Sequence, residues 1–369
     1  MTMMGEVVRL AQERVVGILT WREGSRFSEP DYLRRLVLAG RKLGARVYLF
    51  SHQDVNAAQR KIRGFTPKKK GGWESRWQPW PDVVIDRYRR RVPQYMRLRH
   101  SNLFTFANSP FSKKWRVTLM LAKDERVSQW IPETAIYAPG AVRAMLKRYK
   151  LLYIKPGNGT GGRSILKLAA RDKGYELLGR SKTYSQVKAK LGTIQGVENW
   201  VRRWVREQRI SDGNFLVQQG VDLALVGNRV ADVRLLIQKD ERGEWSVTGR
   251  GVRVGKAGSS TSNLHGGGSA VPFLPFFTQK FGESRAQLIA EECDRLAHRI
   301  AEVLEERFGR MMEFGLDIGV DAQGRPWLIE VNPKPGREVF RQIGEKETYR
   351  LAIQRPVQFA LQLGERKPV

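Results

Sequence analysis

Cysteine is almost missing from this chain of 369 residues: Cys293 stands alone. One thiol cannot close an internal disulfide, so stability must come from packed cores, and the sequence fits a reducing compartment such as the cytoplasm. Histidine occurs four times and never at metal-ligand spacing, and no Ser/His or Cys/His nucleophile arrangement is visible. No apolar run approaches the ~20 residues that span a bilayer. The opening MTMMGEVVRLAQERVV is broken by Glu6 and Glu13 and is followed by no small-residue cleavage site, so no secretory signal is expected there. Acids are also scarce: 37 Asp+Glu stand against 66 Lys+Arg, a formal net charge of +29. What remains is 41% apolar, enough for a globular chain, and the length suits two or three subdomains rather than one small module.

The positive charge is concentrated. Residues 51–210 hold 35 Lys+Arg against 11 Asp+Glu, whereas 251–369 hold 17 against 15. A stretch this basic implies an anionic partner: a nucleotide, a nucleic acid, an acidic polymer or an anionic surface. Its densest part runs from Lys68-Lys69-Lys70 through Trp73, Trp77 and Trp80 to Arg87, Arg89-Arg90-Arg91, Arg97 and Arg99. Interleaved arginine and tryptophan could clamp bases. They could equally form a solvated surface with the indoles covering a core edge, and no nucleic-acid-binding module signature accompanies them.

Along the chain, RVVGILTW (14–21) reads as a buried strand, Asp31–Leu43 as a helix stopped by Gly44, and RVYLF (46–50) as a second strand. With Val83-Val84-Ile85 this order predicts a small parallel α/β domain, interrupted by a basic loop or hairpin over 64–82. Helices are predicted over 113–123, 136–150 and 284–308, the last with Leu288, Cys293, Leu296, Ile300, Val303, Leu304 and Phe308 on its apolar side. Residues 184–209 look helix-like and basic. Strands are predicted at 151–155, 165–169, 215–219, 231–238 and 245–254.

Two features carry chemistry. In FGLDIGVDAQGRPWLIEVNPKPG (314–336), strands 314–320 and 326–332 form a hairpin whose turn contains Asp321 and Gly324. A turn centred between Gln323 and Gly324 pairs residues whose numbers sum to about 647, which sets Asp317 opposite Glu330. Strand alternation then points Glu330 and Asn332 the same way. Two carboxylates and an amide converging from neighbouring strands suit Mg²⁺, which completes its shell with phosphate oxygens and water. The second feature is Lys155 at a strand end, followed by Gly157, Gly159, Gly161 and Gly162. Glycine amides can approach a phosphate closely and the lysine adds charge, although a plain hairpin turn would look similar.

Together these stretches resemble the ATP-grasp superfamily over roughly residues 110–340. Lys114 followed by Leu121-Ala122 and Ile131-Pro132-Glu133-Thr134 resembles its opening lysine helix, YIKPGNGTGG its second lysine strand and phosphate lid, and LVQQGVDL (216–223) its adenine hinge. GLDIGVDAQGRPWLIEVN is similar to its metal hairpin. VGILTW, PDVVIDRYRRR, ADVRLLIQKDERGEW, VRVGKAGSSTSNLHGGG and IEVNPKPG extend the likeness over nearly the whole chain to the YheC/YheD-like ATP-grasp proteins associated with spore coats.

The resemblance implies an α/β protein: a Rossmann-like pre-ATP-grasp domain (1–112, carrying the basic insertion), then two α+β ATP-grasp subdomains, 113–210 and 211–369, the latter with the Mg²⁺ site. It implies ATP held by Lys114, Lys155, Gly159, Gly161 and Gly162 and, at the hinge, by Gln218, Gln219 and Val221, with Mg²⁺ on Asp317, Glu330 and Asn332. Asp222 either meets the ribose or caps the next turn. TSNLHGGG is similar to the Gly-Gly loop of glutathione-synthetase-like and ribosomal-protein-modifying glutamate ligases, which makes Asn263 a candidate beside the transferred phosphate; His265 reads as a loop histidine. Two departures stand out. Thr261 and Gly315 occupy positions where such ligases carry arginine, so Arg234 and Arg253, on adjacent strands, become candidates for meeting the oxyanion charge, against plain surface arginines.

The implied activity is ATP-dependent carboxylate–amine ligation through an acyl phosphate, with both substrates open; an acidic polymer or peptide would suit the basic surface. The competing expectations are a nucleotide-binding structural protein of the spore coat with little catalysis, and a nucleic-acid-binding protein using 51–210.

Overall fold

The computed structural model describes residues 13–365 apart from 91, 160, 161, 211–213, 224, 226, 228 and 257–267. Three large sheets organise them, beside a two-stranded ribbon of Arg22–Glu23 and Arg26–Phe27. In the first, Val15–Leu19 lies between Arg46–Phe50 and Val83–Asp86, parallel to both. The antiparallel pair Lys61–Pro67 and Trp73–Gln78 extends the sheet beyond Arg46–Phe50, so the basic insertion is a hairpin. Helix Pro30–Lys42 starts on a proline at its first turn, has Asp31 there and Arg41 and Lys42 at its end, in accord with the helix dipole. It buries Leu33, Leu36, Val37 and Gly40 at helical spacing. Gly40 is required by contact: a Cβ there would lie 2.1 Å from Val47 Cγ2.

The second sheet is antiparallel, in the order Gln186–Leu191, Gly174–Arg180, Ile165–Arg171, Leu151–Pro156, Phe215–Gln219, Thr134–Ile136. Helices Ala141–Leu146 and Ile194–Gln208 cover one face, where Leu152, Ile154, Leu166, Leu168 and Val217 meet Val197, Val201 and Trp204. The third sheet runs Ser269–Pro272, Trp245–Val254, Ala231–Lys239, Glu313–Val320, Pro326–Asn332. Helix Glu283–Phe308 buries Ile289, Cys293, Leu296 and Ile300 against it. The last helix, Lys346–Glu365, returns to the first sheet, where Ile353, Val357, Phe359 and Ala360 complete the core around Val16, Ile18 and Ile85.

Four sequence expectations change. The region 184–209 is helical only from Ile194, where Thr193 Oγ1 accepts from the Gly196 amide at 3.1 Å. Before it, Gln186–Leu191 is a strand, because Val187, Ala189 and Leu191 alternate onto the core. The helix expected over 136–150 shrinks to Ala141–Leu146, and Thr134–Ile136 pairs with 216–218 as an edge strand. Leu288 is 52% exposed: it lies one turn from Glu292, on the polar side, while Ala286 and Ile289 continue the buried stripe. The basic cluster covers a core edge with two of its indoles, as one of its two readings has it, but two of its arginines are buried rather than solvated. Arg87 and Arg99 are buried, Trp73 packs edge-on against Phe27 and Trp80 stacks on Phe104 at 4.6 Å; of the three indoles only Trp77 is exposed, at 59%.

Candidate active site

The acidic hairpin pairs Asp317 with Glu330 and Gly315 with Asn332. Nearer the turn the register is one residue different, Ile318 with Leu328, so Ile329 is the extra residue of a bulge. The bulge has a purpose that alternation alone would miss. Leu328 faces the core, and without the inserted Ile329 the next core position would be Glu330; with it, Val331 takes that place. Ile329, Glu330 and Asn332 therefore all reach one cavity of about 660 Å³. Asp321 secures the turn, its carboxylate accepting from the Gln323 and Arg325 amides at 3.0 and 2.9 Å and from the Trp327 indole at 2.9 Å.

Asp317 is 7% exposed. Burial alone would raise its pKa, yet Arg234 and Arg253 hold it below the usual aspartate value. Arg253 also grips Asp232, its direct cross-strand partner, through two bonds of 2.7 and 2.6 Å. Arg253 is itself 5% exposed, so the alternative of plain surface arginines fails on burial. Arg234 Nε lies 2.7 Å from Asp317 Oδ1 but out of hydrogen-bond alignment, leaving that buried oxygen without a hydrogen-bond donor among the described residues. Gly315 belongs to the same arrangement: a Cβ there would lie 2.6 Å from Pro335 Cβ and 3.3 Å from Arg234 Nη1. An arginine at 315 has no room, and the guanidinium beside it comes from Arg234 on the neighbouring strand.

Both lysines face these acids. Lys114 is the first residue of helix Lys114–Leu121; its backbone amide donates to Asn158 Oδ1 at 3.0 Å, tying the helix start to the Gly-rich turn. Its ammonium donates to Glu330 Oε1 and, at 3.1 Å, to Asn332 Oδ1. The Asn332 amide in turn lies 3.5 Å from Asp317 Oδ2. Lys155, at the end of Leu151–Pro156, donates to Gln218 Oε1 at 2.7 Å. Gln218 Nε2 donates to Thr134 Oγ1 at 2.8 Å, and that hydroxyl donates to the Pro132 carbonyl at 2.8 Å. The chain of bonds fixes which end of the Gln218 amide meets the lysine. Burial lowers the Lys155 pKa; Lys114 adds to the effect while Glu330 and Asp317 oppose it.

Of the residues expected from the sequence, the cavity brings together Lys114, Lys155, Gly159, Gly162, Gln218, Gln219, Val221, Arg234, Arg253, Asp317, Glu330 and Asn332. Asp222 is exposed and is not part of that lining. Gly161, Asn263 and His265 lie outside the described residues. The Glu330 side chain is 33% exposed, against 9% for that of Asp317.

Among the cavity residues that sequence reasoning did not single out are six charged ones: Glu29, Arg89, Arg163, Asp232, Lys334 and Glu338. Arg89 donates twice to Glu29, at 3.0 and 2.9 Å, and to the Lys334 carbonyl at 2.8 Å. Burial would raise the Glu29 pKa, but Arg87 and Arg89 hold it low. Asp232 was readable, because folding 231–239 back on 245–254 pairs it with Arg253. Arg89 and Lys334 sit inside motifs with no role of their own attached. Glu29 left no signal beyond preceding a helix-starting proline.

The donor set fits a hard divalent cation. Two carboxylates and an amide oxygen is what Mg²⁺ accepts from a protein, one buried oxygen of Asp317 lacks a hydrogen-bond donor, and an ammonium group already rests against Glu330 and Asn332. Among the described residues no three His, Cys, Asp or Glu side chains gather as a metal cage, and no helix is long and apolar enough to cross a membrane.

Two curated relatives come from Bacillus subtilis (strain 168). Endospore coat-associated protein YheD is 27% identical over 348 residues, covering 91% of this chain and 74% of the relative. Endospore coat-associated protein YheC is 24% identical over 337 residues, covering 89% and 91%. Among solved structures, D-cycloserine synthetase DcsG superposes with a TM-score of 0.53 at 13% identity over 95% of this chain and 99% of that one. The mixed α/β architecture is thus an ATP-grasp fold. The family model described as "YheC/D like ATP-grasp" matches residues 103–363, and the chain belongs to that family.

Proposed function

We propose that the protein is an ATP- and Mg²⁺-dependent carboxylate–amine ligase that works through an acyl phosphate. One observation carries the reading: lysines from two separate elements and acids from a third sheet converge in a single cavity with an apolar end. Val221, Leu223, Val230 and Ile329 line that end and suit a purine between aliphatic side chains. Lys114 and Lys155, with the amides around Gly159 and Gly162, meet the triphosphate, which brings about four negative charges. Gly161 and Asn263 join them in this reading. Asp317, Glu330 and Asn332 would hold Mg²⁺, which when bound neutralises charge on the phosphate oxygens. Arg234 and Arg253 orient the acceptor carboxylate beside Asp317. The carboxylate oxygen attacks the γ-phosphorus, ADP leaves, and an amine then attacks the acyl carbon and expels phosphate. Closure of the Gly-rich 157–162 turn excludes water from the acyl phosphate. No protein nucleophile is required.

The expected division follows from the same reading: 1–112 as the pre-ATP-grasp domain, 113–210 and 211–369 as the two halves around the nucleotide.

The test is a screen of carboxylate and amine pairs scored by ADP release and product mass, with Glu330→Gln alongside. That variant keeps the fold and loses at least about a hundredfold in ATP turnover. Wild-type turnover by Glu330→Gln would end the metal assignment. A second reading, a nucleotide-binding component of the spore coat with little catalysis, is supported by the names of the two relatives; it predicts ATP binding without product in any pair. A nucleic-acid-binding role for 51–210 has less support, since Arg87, Arg99, Trp73 and Trp80 are committed to packing.

A further inference from the structure

The second sheet has two faces, and among the described residues helices cover only one of them. Register identifies the other. Tyr153 lines the cavity and pairs with Lys167; Lys167 pairs with Leu178, and Leu178 with Lys188. Ile165 also lines the cavity and pairs with Arg180. Directly paired residues share a face, so Lys167, Arg180 and Lys188 lie on the cavity side of the sheet, beyond the cavity itself. Lys190 joins them two residues further along, and Arg171 two residues beyond Ala169. Residues 163–190 contain eight Lys+Arg and two Asp+Glu. One of those acids, Glu176, lies on this face between Arg171 and Lys190, at 2.8 and 3.5 Å. Lysines on an edge strand discourage sheet-to-sheet association, which would account for Lys188 and Lys190. It does not account for Lys167, Arg171 and Arg180 on the two inner strands.

We propose that this open face, continuous with the cavity, is the track on which an acidic peptide lies while one of its carboxylates enters for phosphorylation. This rests on the ligase reading above and names the substrate class for that site. Three observations favour a polycarboxylate. Alternate side chains of an extended peptide repeat at about 7 Å, the separation of Lys188 and Lys190 along their strand. The same molecule supplies both the repeated charge and the reacting group. The paired positions that define the face carry no exposed aromatic side chain on which bases could stack, which disfavours a single-stranded nucleic acid.

Fluorescein-labelled poly-L-glutamate and a labelled oligothymidylate are the probes, followed by anisotropy at about 0.1 M salt with full-length protein. The variants are Lys188→Glu with Lys190→Glu, the neutral Lys188→Gln with Lys190→Gln, and, as a charge-matched control, Lys68→Glu with Lys69→Glu on the distant hairpin. Affinity for poly-L-glutamate falls about tenfold or more in the first variant and less in the second, while the control stays within twofold. ATP affinity, read by a fluorescent ATP analogue, reports retained folding. Equal losses in the control, or none in the strand variants, would overturn the proposal, as would tighter binding of the oligothymidylate lost through the same substitutions. If poly-L-glutamate binds as expected but no ADP is released with any amine, the ligase reading fails and the track stands. If small carboxylates support ADP release while the Lys188 and Lys190 substitutions leave poly-L-glutamate binding unchanged, the track fails and the ligase reading stands.

Discussion

The two walls of the cavity hold their charges in opposite ways. On the third sheet, Asp317, Asp232, Arg234 and Arg253 are buried or nearly so and tied to one another by ion pairs across three strands. On the second, Lys155 meets a neutral amide oxygen and its charged form is disfavoured by burial. The contrast separates two tasks. One wall is fixed by mutual compensation and holds Asp317 ionised; the other keeps a cation under-compensated, ready for an anion that arrives with the ligand.

The sharpest way to break this comparison is Arg253→Ala. Removing the guanidinium strands Asp232 beside Asp317, which keeps only Arg234, and the expected loss is about 3–5 kcal/mol in urea unfolding. A loss under about 1 kcal/mol would show that the wall is not held by its ion pairs. Lys155→Ala should behave differently: stability changes by about 1 kcal/mol or less, while ATP binding weakens about tenfold in titration calorimetry. If stability rather than affinity falls, the two walls are alike.

The smallest effect concerns protons. Because its folded-state pKa is lowered, Lys155 releases its proton at a pH where the unfolded chain still holds it, so stability from this group rises with pH through that window up to the unfolded value near 10.4. A bound triphosphate reverses the preference. Nucleotide binding should therefore take up a fraction of a proton at alkaline pH, measured by calorimetry in buffers of different ionisation heat, and Lys155→Ala should remove it.

Local signals were readable. The strand runs, the long helix and the acidic hairpin stand at their expected places because period and turn chemistry are short-range. The pairing of Asp317 with Glu330 was read correctly, but for a reason that left out a step: the turn is centred one half-residue earlier than assumed, and the Ile329 bulge restores the sum. A bulge depends on what both strand faces pack against, which no linear pattern contains. Val187, Ala189 and Leu191 were absorbed into a helix because a short alternating strand directly precedes a genuine one. Glu29 and Arg89 joined the cavity only through tertiary placement, since the contacts that position them come from Lys334 and Arg87, far away in sequence.

The helix Lys346–Glu365 contributes Val357 and Ala360, both fully buried, to the interior of the first sheet. During synthesis the opening strands would emerge from the ribosome long before this helix does and would wait with an unfilled apolar groove. Maturation of the first sheet is thus coupled to synthesis of residues 346–365, and a nascent chain arrested before residue 346 should be a client for chaperones and proteases.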